Sequence, residues 1–223
     1  MSLGHAQHRP LVTIAALYGA GGGAIGPRVA QRLGVPYLDR EIPDAVATRA
    51  GLAHEAVDEI DERPRSGVER LTASLGRLST ITGGTGGSVE HLDLQERRVR
   101  AYIEQFLATA CTTGGVAVGR GGMVVLRSVP WALHVHLGGA REPRSAQRMT
   151  TEGIDRATAE RRQEIEDRTR IGYVRRAYGV DGNNPALYHL MLDSTMLDLD
   201  TCVDLIVAAS RARLRNPRTT PPM

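Results

Sequence analysis

LVTIAALYGAGGGAIGPRVAQRL, residues 11–33, passes from an apolar, β-prone run (Leu11 to Leu17) through a glycine tract into a helical pattern from about Gly26 to Leu33. Glycine stands at positions 19, 21, 22, 23 and 26, so the order is strand, glycine loop, helix. Such a loop leaves backbone N–H groups uncovered and points them, with the positive end of the helix dipole, at one place in space. Its natural guest is a phosphate. The residues expected to line it are Gly19, Ala20, Gly21, Gly22, Gly23, Ala24 and Ile25. Pro27 is expected in the first helical turn, where a missing N–H costs nothing. A tight turn with no ligand is the plain alternative, although five glycines in eight positions carry an entropic cost that a simple turn does not need.

With 223 residues, 41% of them hydrophobic and 24% charged, the chain suffices for one α/β domain with an insertion. Nothing approaches the ~18 continuous apolar residues of a membrane span, and no short apolar segment follows a basic N-terminus. A cytoplasmic protein with no membrane partner is therefore expected. The formal net charge of +3 is too small to argue for wholesale nucleic-acid binding. All 28 basic residues are arginine, so every fixed cation is a planar guanidinium suited to a bidentate grip on phosphate or carboxylate, and mechanisms that require lysine are excluded. Cys111 and Cys202 read as inert buried thiols, too few for a cysteine-based metal site. The sequence leaves the oligomeric state open, a homodimer included.

After the first helix, GVPYLD (34–39) reads as a helix stop, a short strand and a carboxylate. In an open parallel sheet the ligand crevice lies at the carboxyl ends of the strands, so Asp39 is expected to border the site, to cap the next helix, or both. From Arg40 to about Leu78 the pattern is helical and charged. A glycine-rich loop (Ser79 to Ser88) follows, then a helix from about Val89 to Thr109 with an apolar stripe at Leu92, Val99, Ile103, Phe106 and Leu107. Val116 to Val118 returns to the sheet and ends in Gly119-Arg120-Gly121-Gly122. There a ligand can approach the backbone closely, and Arg120 is the best single candidate for a substrate-gripping cation. His134 and His136, on the strand Ala132 to Leu137, share one face and are expected to pack or hydrogen-bond rather than to begin a metal site.

Ten arginines fall between Arg141 and Arg176, interleaved with acidic residues. Ion pairs at i, i+4 account for several, and arginines that close over transferring phosphates are the functional reading of the rest. A loop at Gly179 to Pro185, a last strand at Leu205 to Val207, a short helix to about Leu214 and a disordered tail from Asn216 to Met223 complete the expectation. The alternation of elements means an α/β fold with a parallel sheet.

Two readings of the loop remain. Gly19, Gly21 and Ala24 satisfy a dinucleotide G-x-G-x-x-[GA] fingerprint, with Asp39 the expected ~20 residues on. The other is a mononucleotide loop of the phosphoryl-transfer kind. Here the core resembles bacterial cytidylate kinase, and more closely the divergent cytidylate-kinase-like group whose loop reads like YGSGGREIG. The stretches that carry the resemblance are YGAGGGAIG (18–26), LGVPYLDREI (33–42), VAVGRGGMVVL (116–126), HVHLGGAREPRSAQRM (134–149), EDRTR (166–170) and LMLDSTMLDLDTCVDLI (190–206).

The resemblance implies a parallel sheet flanked by helices in the P-loop nucleoside monophosphate kinase arrangement. Its core would be 11–39, 110–150 and 186–215, with a helical acceptor-binding insertion at 40–109 and an Arg-rich lid at 151–185. It implies transfer of the ATP γ-phosphoryl group, with Mg²⁺, to a CMP-like nucleoside monophosphate or another small phosphate acceptor. The loop glycines would cradle ATP phosphates, Arg120 would bind the acceptor and Asp39 would border its pocket. Arg144 and Arg148 would lie on the helix after the fourth strand, while Asp167 and Arg170 would belong to the lid, all in catalytic roles. The departures are equally specific. Gly22 falls where the phosphate-binding lysine should be, Ala24 where the Mg²⁺-binding hydroxyl should be, Gly23 and Ala24 replace the group's own Arg and Glu, and Gly121 replaces an aspartate. Losing a loop lysine costs several kcal/mol of transition-state stabilisation unless an arginine substitutes. A catalytically impaired nucleotide-binding regulator on the same scaffold is therefore the alternative within this resemblance.

Overall fold

The computed structural model describes residues 8–38 and 89–218. The chain divides into two compact units, Met1–Tyr37 with Leu107–Met223, and Leu38–Phe106. Asp39 and the segment 40–88 lie outside the described residues.

The first unit is built on four strands, β1 (Leu11–Ala16), β2 (Gly115–Val118), β3 (Leu133–Gly138) and β4 (Leu190–Asp193), all parallel in the order β2-β1-β3-β4. β1 is central, and its first four residues are buried, as a parallel strand covered on both faces must be. Around the sheet lie α1 (Gly22–Leu33), the end of α2 (Val89–Thr113), the short α3 (Gly122–Val125), α4 (Arg141–Glu152), α5 (Arg156–Tyr178) and α6 (Leu199–Arg215). Val12, Ile14, Val116, Leu133, Val135 and Leu137 meet Ile25 and Val29 of α1 and Cys202, Val203, Ile206 and Val207 of α6 in one apolar core. Strand alternation sends Thr13, His134 and His136 to the opposite face, where Thr13 touches α3 at Gly122. Among the described residues no helix is long and apolar enough to cross a membrane.

Several boundaries differ from expectation. α1 begins at Gly22, so Pro27 lies inside the helix rather than in its first turn. The carbonyl of Gly23, four residues back, loses its ladder partner there, and because Gly23 is exposed, water can serve it. The expected strand in GVPYLD reduces to a single parallel bridge between Tyr37 and Val116. Leu205, Ile206 and Val207 are not the last strand; they lie within α6, and β4 is the edge strand. The helical reading follows from its cap, since Asp198 accepts from Thr201 N at 2.7 Å, and from burial of Cys202, Val203, Ile206, Val207 and Ser210 on one face. Of the expected disordered tail, Arg218 is held, donating its N–H to Pro130 O at 3.2 Å. Residues 219–223 lie outside the description.

His134 and His136 are both held by packing. His134 Nδ1 lies 2.8 Å from Thr13 Oγ1 and its ring stacks on His189, while His136 meets the ring of Tyr188 edge-on. Burial, reinforced by His189 and by the Arg213 and Arg127 cations, pushes the His134 pKa down to about 3. As pH falls through the ordinary histidine value near 6.5, the unfolded chain takes up a proton that the folded chain refuses. The stability is thus complete above about pH 6.5 and is lost progressively toward about pH 3. Chemical denaturation followed between pH 7 and pH 5 is expected to show a loss of roughly 1–2 kcal/mol. His134→Gln should flatten that slope; an unchanged slope would remove His134 as its source.

Candidate functional site

The last ladder bond from the end of β1 runs from Leu17 N to Leu137 O at 3.1 Å, after which the chain turns, with Ala20 N donating to Leu17 O at 3.0 Å. Gly19 (φ 80°) and Gly21 (φ 73°) adopt the left-handed conformation, and Gly21 caps α1. At Gly19 glycine is obligatory twice over, because a Cβ would also lie 2.2 Å from the carbonyl oxygen of Arg144 on α4. Within the loop, Tyr18 N donates to Asp167 Oδ1 at 2.7 Å, and Ala24 N and Ile25 N donate to Gly21 O. The N–H groups of Gly19, Gly21, Gly22 and Gly23 have no acceptor among the described residues.

Two helices from the arginine-rich region fasten this loop. Arg144, buried on α4, donates from Nε to Gly139 O at 3.0 Å and from Nη1 both to Tyr18 O at 2.7 Å and to Asp167 Oδ2 at 2.8 Å. Asp167, in the middle of α5, therefore binds the loop amide with one oxygen and the arginine with the other. α5 is held against α4 by the buried pair Ser145–Gln163, the hydroxyl donating at 2.7 Å. The Arg148 guanidinium lies 4.7 Å from the centre of the Tyr18 ring and pairs with Glu152, which Arg162 also engages. Burial, with the nearby Glu152 carboxylate, raises the Tyr18 phenol above its ordinary pKa. Arg170 pairs with Glu166 at 3.2 Å and stands 4.0 Å from Asp167 Oδ1. Ser194, just past β4, donates to Ala20 O at 2.8 Å.

The structure thus gathers Arg144, Arg148, Asp167 and Arg170 around the glycine loop. Arg120 is placed at a second station on the same edge of the sheet, since Val118 pairs with Ile14 and the turn after β2 opens beside the loop after β1. Its side chain is buried and its φ is +62°. Asp39 lies outside the described residues. Sequence reading missed Tyr18, Glu152 and Ser194, whose roles depend on partners far away in the chain.

The loop suits an anion held by main-chain amides. It does not suit the lysine of a standard phosphate loop, and the reason is steric. In G-x-x-x-x-G-K-[ST] the first glycine precedes the lysine by six residues. Here those positions are Ala16 and Gly22, and a Cβ at Gly22 would lie 2.6 Å from the Ala16 methyl. The first turn of α1, Gly22 to Ile25, contains neither hydroxyl nor carboxylate and so offers Mg²⁺ no direct side-chain ligand.

The dinucleotide reading fails on topology. In that fold the strand after the first helix lies beside β1. Here the corresponding segment, at Tyr37, bridges Val116 of β2, and β2 separates it from β1.

Among solved structures, a protein of Eubacterium ventriosum ATCC 27560 described as uncharacterized is 16% identical and superposes with a TM-score of 0.64, over 92% of this chain and 99% of that one. A gluconokinase from Sinorhizobium meliloti 1021 is 14% identical, with a TM-score of 0.51 over 93% and 96% of the two chains. At such identities the likeness is one of fold. No curated protein matches the chain. The sequence model of the cytidylate kinase-like family matches residues 11–196, which include the glycine loop, the Arg120 turn, α4, α5 and β4. The chain accordingly belongs to the cytidylate kinase-like family and has the P-loop kinase α/β fold.

Proposed function

We propose that the chain is a phosphotransferase that moves the γ-phosphoryl group of ATP to a CMP-like nucleoside monophosphate or another small phosphate acceptor. One observation carries this reading, the four amides at Gly19, Gly21, Gly22 and Gly23 that lack acceptors among the described residues at the head of α1. Donor phosphates take those amides. Arg144 and Asp167 set the shape of the loop, Arg148 and Arg170 supply positive charge beside it, and Arg120 grips the acceptor phosphate. An acceptor oxygen attacks the γ-phosphorus as its bond to the β–γ bridging oxygen breaks, and ADP leaves. Phosphoryl transfer asks a protein mainly for positioning and charge neutralisation, which an amide cradle and guanidinium groups provide. No step in this scheme runs through a protein-held Mg²⁺.

A nucleotide-binding regulator on the same scaffold is the second reading. It is favoured by the Ala16 methyl, which fills the space that a side chain at position 22 would need.

Initial rates of ADP formation over a panel of nucleoside monophosphates separate the two: turnover with one acceptor supports the enzyme, and tight ATP binding without turnover supports the regulator. Arg120→Ala is expected to weaken acceptor binding by about 2–3 kcal/mol, the size of a charge-assisted contact, and to leave ATP binding unchanged. Unchanged KM and kcat in that variant would refute the role of Arg120. Gly22→Lys alone should lower Tm without raising kcat, because its Cβ meets Ala16. The pair Ala16→Gly with Gly22→Lys should recover Tm and raise kcat at least tenfold, corresponding to about 1.4 kcal/mol in the barrier. Equal kcat in the single and double variants would dismiss the steric account.

A further inference from the structure

Three successive residues after β2 are left-handed: Gly119 at φ 78°, Arg120 at φ 62° and Gly121 at φ 68°. Arg120 is the one non-glycine residue with positive φ among the described residues. For an L-residue with a long side chain this conformation is unfavourable, and it persists only where the surroundings over-determine it. The turn's own bonds fix its two ends. Gly119 N donates to Ile14 O at 2.8 Å, Gly122 N to Gly119 O at 3.2 Å and Val124 N to Gly121 O at 2.8 Å. The second of these takes the carbonyl of the Gly119–Arg120 peptide, and none of the three uses the Arg120–Gly121 peptide.

That peptide is covered from α5. Tyr178, the last residue of the helix, lays its ring over Gly121 so closely that a Cβ there would lie 2.2 Å from Tyr178 Cε2. Its hydroxyl points to Arg120 O at 3.4 Å, a weak bond whose direction matters more than its strength. The ring is itself braced. Tyr173 meets it edge-on with ring centres 6.2 Å apart, and both belong to a satellite core with Met123, Val174, Leu187, Val180 and Tyr188.

We propose that Tyr178 is a positioning residue for Arg120: by packing on Gly121 it denies the turn any relaxed conformation and so keeps the buried guanidinium aimed at the acceptor phosphate. The proposal rests on the reading of Arg120 as the acceptor-binding cation. A second consequence lies along the helix. Tyr178 is eleven residues from Asp167, three helical turns, so one rigid element touches both the glycine loop and the Arg120 turn.

The test compares Tyr178→Ala, Tyr178→Phe and Gly121→Ala with Arg120→Ala in the full chain, with ATP and CMP as probes. Tyr178→Ala should raise KM for CMP roughly tenfold, the factor expected when a residue relaxes out of the left-handed region, with KM for ATP within about twofold of wild type. Tyr178→Phe keeps the ring and should stay near wild type. Gly121→Ala should reproduce the Tyr178→Ala effect by forcing the ring away. A merely structural role would raise both KM values together and would overturn the proposal. Should Arg120→Ala raise KM for CMP while Tyr178→Ala does not, the positioning role fails and the acceptor reading survives. If Arg120→Ala leaves CMP unaffected, the acceptor reading fails. The backbone claim is then decided by a crystal structure of Tyr178→Ala, or of Tyr178→Leu if the alanine variant does not fold, in which an Arg120 φ still near +60° would overturn it.

Discussion

The ion pair between Arg144 and Asp167 is the contact on which the carboxyl edge of the sheet depends. A glycine-rich loop has more conformational freedom to lose than any other stretch of chain, so something outside it must hold it. The pair does so by holding the two peptides that flank the Tyr18 Cα: the arginine takes the Tyr18 carbonyl and the carboxylate takes the Tyr18 N–H. Each member is compensated by the other and by backbone groups, the condition under which a buried charge is tolerated. Removing either member would strand its partner, at a cost of about 3–5 kcal/mol. The same contacts weld α4 and α5 to the loop, so the arginines those helices carry arrive already aimed.

What the loop lacks is as much a packing matter as what it has. Ala16 and Gly22 have exchanged the small and large positions of a standard phosphate loop, and the side chain that would wrap over the phosphates has no room to start. The groups this leaves for the proposed anion binding are amides, which are fixed dipoles, and guanidinium groups, which are planar forks rather than the flexible point charge of an ammonium. Arg148 is already ordered on the Tyr18 ring and by Glu152, so little of its rotamer freedom remains to be lost in any further contact.

The strand-loop-helix unit, the parallel sheet and the arginine-bearing helices were legible in the residues, because glycine clustering and apolar runs are local signals. The start of α1 was not, since Gly22, Gly23 and Ala24 carry no amphipathic pattern and the helix there is imposed by the cap at Gly21. Leu205 to Val207 in α6 read as a strand because a three-residue apolar run has no decisive period; Asp198 followed by Thr201 is the cue that separates the two. Among the candidate site residues, Arg120 stands out in the sequence by its flanking glycines. The bond from Tyr18 to Asp167 spans 149 residues, and no window along the chain contains both ends. Tyr178 over Gly121 was hidden for the same reason.

The register of the sheet also bears on how the chain is made. Val12 pairs with Val116 on one side and with Leu133 on the other, so the central strand finds its neighbours 104 and 121 residues later. At a synthesis rate of about 5–20 residues per second, a ribosome needs roughly 6–24 s to deliver the more distant partner. For most of that interval neither neighbouring strand has been made, so an apolar segment with both backbone edges bare must be kept from pairing with other chains.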